Sequence, residues 1–425
     1  MNTVVKAGAD DARRYWLDEG RTGGGFIREV DFASNNRGVD PLFAGIKIVD
    51  CDTHFTEPQD LWTSHAPAGM KDKMPHVRRV GEADRWFVGD KDFGSLGGNV
   101  IAKDKNKLLG KLAFPRYEQI DPGSYDVQAR LKHMDATGIW AQICFQNGGV
   151  TQAGSLVALN DEPLAIAIIQ IFNDACAERM KASGGRINCL GTLPYWNKDL
   201  TNREMRRIVD LGLKGVVLPD RPERLSSGYV GPDGKVSPFW EEVFDLCNTT
   251  GTPVNFHLNM AMNADAALWD NLGFDQRLPT HALIGHIGCA ATMSNFMVSG
   301  LLDKYTKLKI GLIESGMGWV PFWLEAMEHQ ISEYRTTENR GLKLRPKEYF
   351  QRHFWVTFWF EHLGPTKLLY DVGVDKVMFE TDYPHPTSLY PGVQDKLVAT
   401  LGGYDAAIRK RVLEQNAAKL FNLKF

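Results

Sequence analysis

The sequence predicts an α/β protein, a (β/α)8 TIM barrel with an N-terminal arm over residues 1–45 and a cap insertion over 59–123 after strand 1. Three observations lead there. Short apolar, mostly β-branched runs recur at 46–52, 140–146, 187–193, 213–219, 253–258, 308–314, 353–359 and 376–381. Helix-like stretches lie between most of them, at 125–137, 164–182, 200–211, 238–249, 291–305 and 321–334. Metal-binding residue types close several of the runs, and in a parallel barrel the reacting groups sit at the C-terminal ends of strands. Alternation of strand and helix through eight runs is the pattern of a closed parallel barrel. An open doubly wound sheet shares the alternation, but usually carries a glycine-rich phosphate loop. The chain has neither GxGxxG nor GxxxxGK.

Taken in order, residues 1–45 are rich in Gly, Asp, Arg and Asn, with Gly23-Gly24-Gly25 near the centre. They are expected to wrap the domain or a partner subunit. The barrel domain is expected over 46–425. The first run, with Ile48-Val49-Asp50-Cys51-Asp52, reads as a buried strand. The segment 59–123 is full of Pro, Gly, Lys and Asp and lacks apolar periodicity, so it is expected as a cap over the mouth of the barrel. At 125–137, Ala129, Leu131, Met134 and Ala136 lie among charges, and Gly138 offers a stop. The linker 220–237 comes after the fourth run and is expected at the mouth. Residues 331–350 are charged and expected at the surface. The run Leu283-Ile284-Gly285-His286 is too brief to assign. The sequence shows no internal repeats and no low-complexity tract.

Bulk composition excludes several classes of function. At 425 residues and 43 % hydrophobic content, the chain can bury a large core. A net charge of −3 offers no footprint for nucleic acid or an anionic membrane. No run of 18 apolar residues is present, so no membrane span is expected. Residues 1–14 lack the apolar core of a signal peptide. Cys51, Cys144, Cys176, Cys189, Cys247 and Cys289 form no CxxC pair and are read as buried, reduced thiols of a cytoplasmic protein.

The chemistry lies at the ends of the runs. Asp52 and His54 are two apart on an extended chain and so share a face, where one carboxylate and one imidazole can grip a divalent ion. His257 comes after Pro253-Val254-Asn255-Phe256, and Asp382 ends Val377-Met378-Phe379-Glu380-Thr381. Each is weak alone, since a polar strand end also serves as a cap. Together the four make a two-carboxylate, two-imidazole set suited to Zn, Mn or Fe.

With these residues, the chain resembles the amidohydrolase superfamily. The branch is the amidohydrolase-related one containing aminocarboxymuconate semialdehyde decarboxylase and the aromatic acid decarboxylases. The resemblance spans about residues 46–425 and rests most on Asp50-Cys51-Asp52-Thr53-His54-Phe55-Thr56-Glu57-Pro58, on the stretch from Leu308-Lys309-Ile310 to Gly318-Trp319-Val320-Pro321, and on Phe379-Glu380-Thr381-Asp382-Tyr383-Pro384-His385. It implies that Asp52 and His54 on the first strand, His257 on the fifth and Asp382 on the eighth bind the metal. One departure stands out. The decarboxylases carry a proton-transferring His at the end of the sixth strand, and here Glu314 occupies the matching position. His286 lies upstream, either able to reach the site or an ordinary buried His. The fourth strand ends near Leu218-Pro219 with Lys214 at its start, which gives no support for a bridging modified lysine.

Asp52 and Asp382 balance one divalent ion, and Glu314 and Glu57 add two further negative charges. Closely packed carboxylates must bind cations, find donors or take up protons. Either one metal is present and Glu314 acts as general acid/base, or a second metal is held by Glu57, Glu314 and a further His, His286 or His385. For Glu57 a salt bridge or cap is an equal alternative. His385 is expected to orient the eighth-strand loop.

The expected activity is hydrolysis or non-oxidative decarboxylation of a small carboxylate or carbonyl compound, with Glu314 or His286 moving the proton. A dinuclear iron-containing oxygenase is the alternative, and a silent subunit of a homologous partner a third reading. A homo-oligomer, or a hetero-oligomer with a homologous subunit, is expected, with Trp319 and Trp323 as exposed assembly aromatics in the silent-subunit case. Substrate recognition is expected from the 59–123 and 220–237 segments and from loops near Trp196, Trp359 and Tyr383. Arg130 and Arg221 fit either a substrate carboxylate or ordinary salt bridges, and the second is preferred.

Overall fold

The computed structural model describes residues 27–28, 38–108, 113–231, 233–258, 274–334 and 342–425. The arm expected over 1–45 lies for the most part outside them. Apolar β-branched runs form eight strands, here β1 (Val49–Phe55), β2 (Ala141–Gln146), β3 (Ile187–Cys189), β4 (Val216–Val217), β5 (Val254–His257), β6 (Ile310–Ile313), β7 (Phe354–Phe358) and β8 (Val377–Phe379). All neighbouring pairs within β1-β2-β3 and within β4-β5-β6-β7-β8 are parallel. Parallel bridges Gly191↔Val216 and Thr53↔Tyr383 join the two groups at both ends, and the barrel closes. At the second junction Asp382 N–H donates to Asp52 O at 2.9 Å and His54 N–H to Tyr383 O at 2.8 Å.

Strands of a closed parallel barrel are covered on both faces and read as near-continuous apolar runs. The lumen is filled by Val49, Cys51, Ala141, Ile143, Leu190, Val217, Ile313, Trp355 and Met378, and Ala417, Leu420 and Phe421 close its lower end. The outward residues of the same strands, among them Phe256, Leu312 and Val356, pack against the helices.

Two elements depart from the sequence reading. The first strand is displaced, starting at Val49 and running through Phe55, so His54 lies inside it. Its pairing with β2 shifts register between Asp50 and Thr53. A bulge adds one residue and re-aims the side chains beyond it. It lets Val49 and Cys51 face the lumen below while Asp52 and His54 face it above. The helix expected at 291–305 begins much earlier, as Phe274–Val298, and a left-handed Gly300 separates it from Leu301–Lys304. His286 therefore sits on a helix. The other helices fall near their expected places, for example Val127–Thr137, Glu162–Ala182 and Val320–Glu333.

Between β1 and β2, the segment 59–123 contains an antiparallel sheet of Pro75–Val80, Ala83–Val88 and Lys91–Gly94. It reaches the eighth-strand loop, where Val100 N–H donates to Pro384 O at 3.1 Å. Among the described residues no helix is long and apolar enough to cross a membrane.

The barrel floor carries a cation. Lys376 is 3 % exposed, with Nζ 3.7 Å from the centroid of the Trp355 ring. Burial, then the nearby Lys419, pulls its ammonium down to about 7. In the unfolded chain the same group titrates near 10.4. Between these values the unfolded state binds more protons, so stability rises with pH across that window; below pH 7 the full penalty is present. Lys376→Met is expected to stabilise the protein by about 2 kcal/mol at pH 6 and to flatten stability against pH from 7 to 10. Chemical denaturation at several pH values checks this, and an unchanged slope refutes it.

Candidate metal centre

Strand ends aim the polar residues at one point above the lumen core. Asp52 and His54 come from β1, His257 ends β5, Glu314 lies just past β6, and Asp382 just past β8. His54 Nε2 lies 3.5 Å from Asp52 Oδ1 and 3.4 Å from Asp382 Oδ1, and His257 Nε2 lies 3.2 Å from Asp52 Oδ2. Glu314 Oε2 lies 3.5 Å from His257 Nδ1. The backbones of Glu314 and Asp382 are left-handed, with φ of 52° and 58°. Side chains at positive φ are uncommon and cluster at functional sites. The turn lets each carboxylate leave its strand and bend inward.

Asp52 Oδ1 and Oδ2, His54 Nε2, His257 Nε2 and Asp382 Oδ1 are all buried without a hydrogen-bond partner. Such groups are rare, because the lost solvation is not replaced. The ligating atoms of Asp52, His54 and His257 lie within 4.8 Å of one another, as do those of His54, Asp382 and His385. An ion with bonds of about 2.0–2.2 Å holds its ligands up to roughly 4.4 Å apart. The residues present therefore fit a divalent cation.

The tautomers agree. His54 Nδ1 lies 2.7 Å from Gln146 O, and His257 Nδ1 lies 2.9 Å from Leu258 O. Carbonyl oxygens only accept, so both Nδ1 atoms carry the proton and both Nε2 atoms turn a lone pair inward. Burial, then His385, pulls the His54 imidazole down to about 3. Burial and the neighbouring Asp382 push the Asp52 carboxyl well up. Burial also acts to raise Asp382, but His385 and His54 outweigh it and hold this carboxyl low. Burial and Asp382 push the Glu314 carboxyl well above its ordinary value.

His385 is closer to the centre than an orienting role requires. Its ring stacks on His54 at 3.7 Å, Nδ1 lies 3.0 Å from Asp382 Oδ1, and Nε2 lies 2.8 Å from Asn147 Oδ1. Gly98 of the 59–123 segment packs beneath it, and a Cβ there would meet His385 Cδ2 at 2.6 Å. Glu57 lies elsewhere. It is fully buried beside Gly148 and Trp86, both carboxylate oxygens lack a hydrogen-bond partner, and it belongs to neither ligating group. Burial raises its carboxyl and Arg179 opposes the shift. His286 stands in the wall, with Nδ1 3.1 Å from Ser315 O. Arg130 is fully buried and donates to His54 O at 2.6 Å and to Gln142 Oε1 at 3.0 Å, so it braces the first strand. Trp319 and Trp323 are half-buried, and the exposed aromatic beside them is Phe322.

Three neighbours of the centre carry no role in the sequence reading. Glu380 accepts the Glu314 N–H at 3.1 Å. Asp50 accepts the Thr381 N–H at 2.8 Å and the Thr381 hydroxyl at 2.7 Å, and burial raises it to about 7. Thr387 donates to Asp382 Oδ2 at 2.5 Å. Glu380 was findable, because it precedes Asp382 by two in the same run, a spacing that an extended chain places on one face.

Comparison with known proteins agrees with this architecture. The amidohydrolase family profile matches residues 49–423. Gamma-resorcylate decarboxylase of Rhodococcus jostii is 28 % identical over 348 residues, covering 76 % of this chain and 96 % of that protein. The Polaromonas sp. enzyme of the same name is 28 % identical over 273 residues, covering 61 % and 77 %. The fold is shared with 5-carboxyvanillate decarboxylase of Novosphingobium aromaticivorans, solved with manganese and 4-hydroxy-3-methoxy-5-nitrobenzoic acid. That structure gives a TM-score of 0.59 at 18 % identity, covering 92 % of this chain and 99 % of that one. The eight-stranded barrel and the match over nearly all of it establish this chain as an enzyme of the amidohydrolase family.

Proposed function

We propose that this enzyme catalyses metal-dependent, non-oxidative decarboxylation of a small aromatic carboxylate. The observation that carries the reading is the convergence of five buried, unpaired ligand atoms from Asp52, His54, His257 and Asp382. The names of the similar decarboxylases favour this reaction over hydrolysis. Asp52, His54, His257 and Asp382 would hold the ion, which when bound acts as a Lewis acid toward a substrate oxygen. Gln146 O and Leu258 O keep both imidazoles in the ligating tautomer. Glu314, raised by burial, holds a proton next to the centre. It delivers that proton to the ring carbon bearing the carboxylate. The bond from that carbon to the carboxylate breaks, its electron pair remains on the ring carbon, and carbon dioxide leaves. Glu380 fixes the Glu314 backbone through this step.

The test is elemental analysis of protein expressed with Fe, Mn and Zn supplied, followed by an assay of 2,6-dihydroxybenzoate under strict anaerobiosis. About one Mn or Zn per chain with anaerobic release of carbon dioxide supports the proposal. About two metals including iron, with turnover tied to dioxygen, replaces it with the oxygenase. A chain without metal points to a silent subunit.

A further inference from the structure

We infer that Trp359 and His286 form a donor–acceptor pair that reads a hydroxyl group on the substrate ring, on the Glu314 side of the metal centre. The inference rests on the aromatic-acid reading of the site. Alternate residues of a strand face the same way. On β7, Trp355 packs into the lumen core against residues such as Met378. Thr357 comes next on that face, near Glu380, and its hydroxyl donates to Leu312 O at 3.5 Å. Trp359 comes directly after Phe358, the last residue of β7. It is 2 % exposed, and its indole Nε1 is buried with no hydrogen-bond partner. An unpaired buried N–H is costly, and it shares this condition with the ligand atoms of the metal centre.

The ring centroid of His286 lies 5.8 Å from that of Trp359. His286 Nδ1 lies 3.1 Å from Ser315 O, the residue after Glu314. That oxygen only accepts, so Nδ1 holds the ring proton and Nε2 is an acceptor. The two neighbouring rings thus offer one donor and one acceptor. A hydroxyl both accepts and donates, and satisfies the two at once. A methoxy group or a second carboxylate accepts from Trp359 but leaves His286 facing a lone pair.

The experiment is calorimetric binding to the metal-loaded full chain, using benzoate, the three monohydroxybenzoates and their methoxy counterparts. One hydroxybenzoate is expected to bind at least about tenfold tighter than its methoxy counterpart, the scale set by pairing or orphaning one buried polar group. Trp359→Phe keeps the ring and removes the N–H. It is expected to erase that gap while leaving the benzoate Kd and the metal content unchanged. Because Trp359 is buried, His286→Leu at a half-buried position serves as the second variant, with the same expected loss. A hydroxyl preference that survives both substitutions, or no preference in the wild type, overturns the pair while the decarboxylase reading stands. Metal-loaded protein that binds none of these acids overturns both.

Discussion

Asp382→Ala is expected to strip the enzyme of its metal and lower decarboxylation by at least about a thousandfold. Asp382 joins the two sides of the centre. Its Oδ1 lies 3.4 Å from His54 Nε2 and 3.0 Å from His385 Nδ1, and its Oδ2 receives the Thr387 hydroxyl. Without it, a divalent ion would face Asp52 as its one remaining carboxylate in the set, and both imidazoles would stay neutral. The position also has φ of 58°, where alanine carries a backbone cost of about 1–2 kcal/mol. Asp382→Asn is therefore the informative companion, since Asn tolerates that conformation and keeps the shape. It is expected to hold the fold and still lose most of the metal. Metal per chain, measured beside thermal stability, decides. A folded Asp382→Ala protein with full metal and full activity would refute the assignment.

Glu314→Gln is expected to separate the two readouts, metal content and activity. The metal stays, KM changes little, and kcat falls by about 10²- to 10⁴-fold, the range for loss of a general acid. Glutamine fits the same space and still projects from the left-handed turn, so the Glu380 contact to the Glu314 N–H survives. The pH profile gives a second readout. A carboxyl raised by burial works as an acid while protonated, so the wild-type rate falls as pH rises through its value, and that limb disappears in the variant. If metal is lost in step with activity, Glu314 is a ligand and the proton must come from elsewhere.

The barrel was legible because each buried strand leaves an apolar run, and each of the eight runs overlaps a strand. The approach of Asp52, His54, His257 and Asp382 was legible for a related reason, since a closed parallel barrel brings its strand ends together. Depth along the barrel axis was not. Glu57 is three residues past His54, yet it turns toward Gly148 and Trp86, away from both ligating groups. The bulge in β1 was hidden too, because a register shift depends on the partner strand and leaves no mark in a single run. His286 resisted assignment because Leu283-Ile284-Gly285-His286 is apolar enough for either a strand or a buried helix. The pairing of His286 with Trp359 joins two residues far apart in the chain, and only the closed fold makes it visible.

The closure between β1 and β8 has a mechanical consequence. This seam is where the start and the end of the barrel meet, and the hydrogen bonds across it include one between residues 331 positions apart. Two of the proposed ligands, Asp52 and Asp382, stand on its opposite lips. An ion seated between them acts as a rivet through the seam, holding shut the longest loop the barrel contains. Binding energy at the centre then adds directly to the work of prising the barrel open. Unfolding should accordingly start at this seam in the metal-free protein and be deferred there once the metal is bound, so that one ion serves both chemistry and architecture.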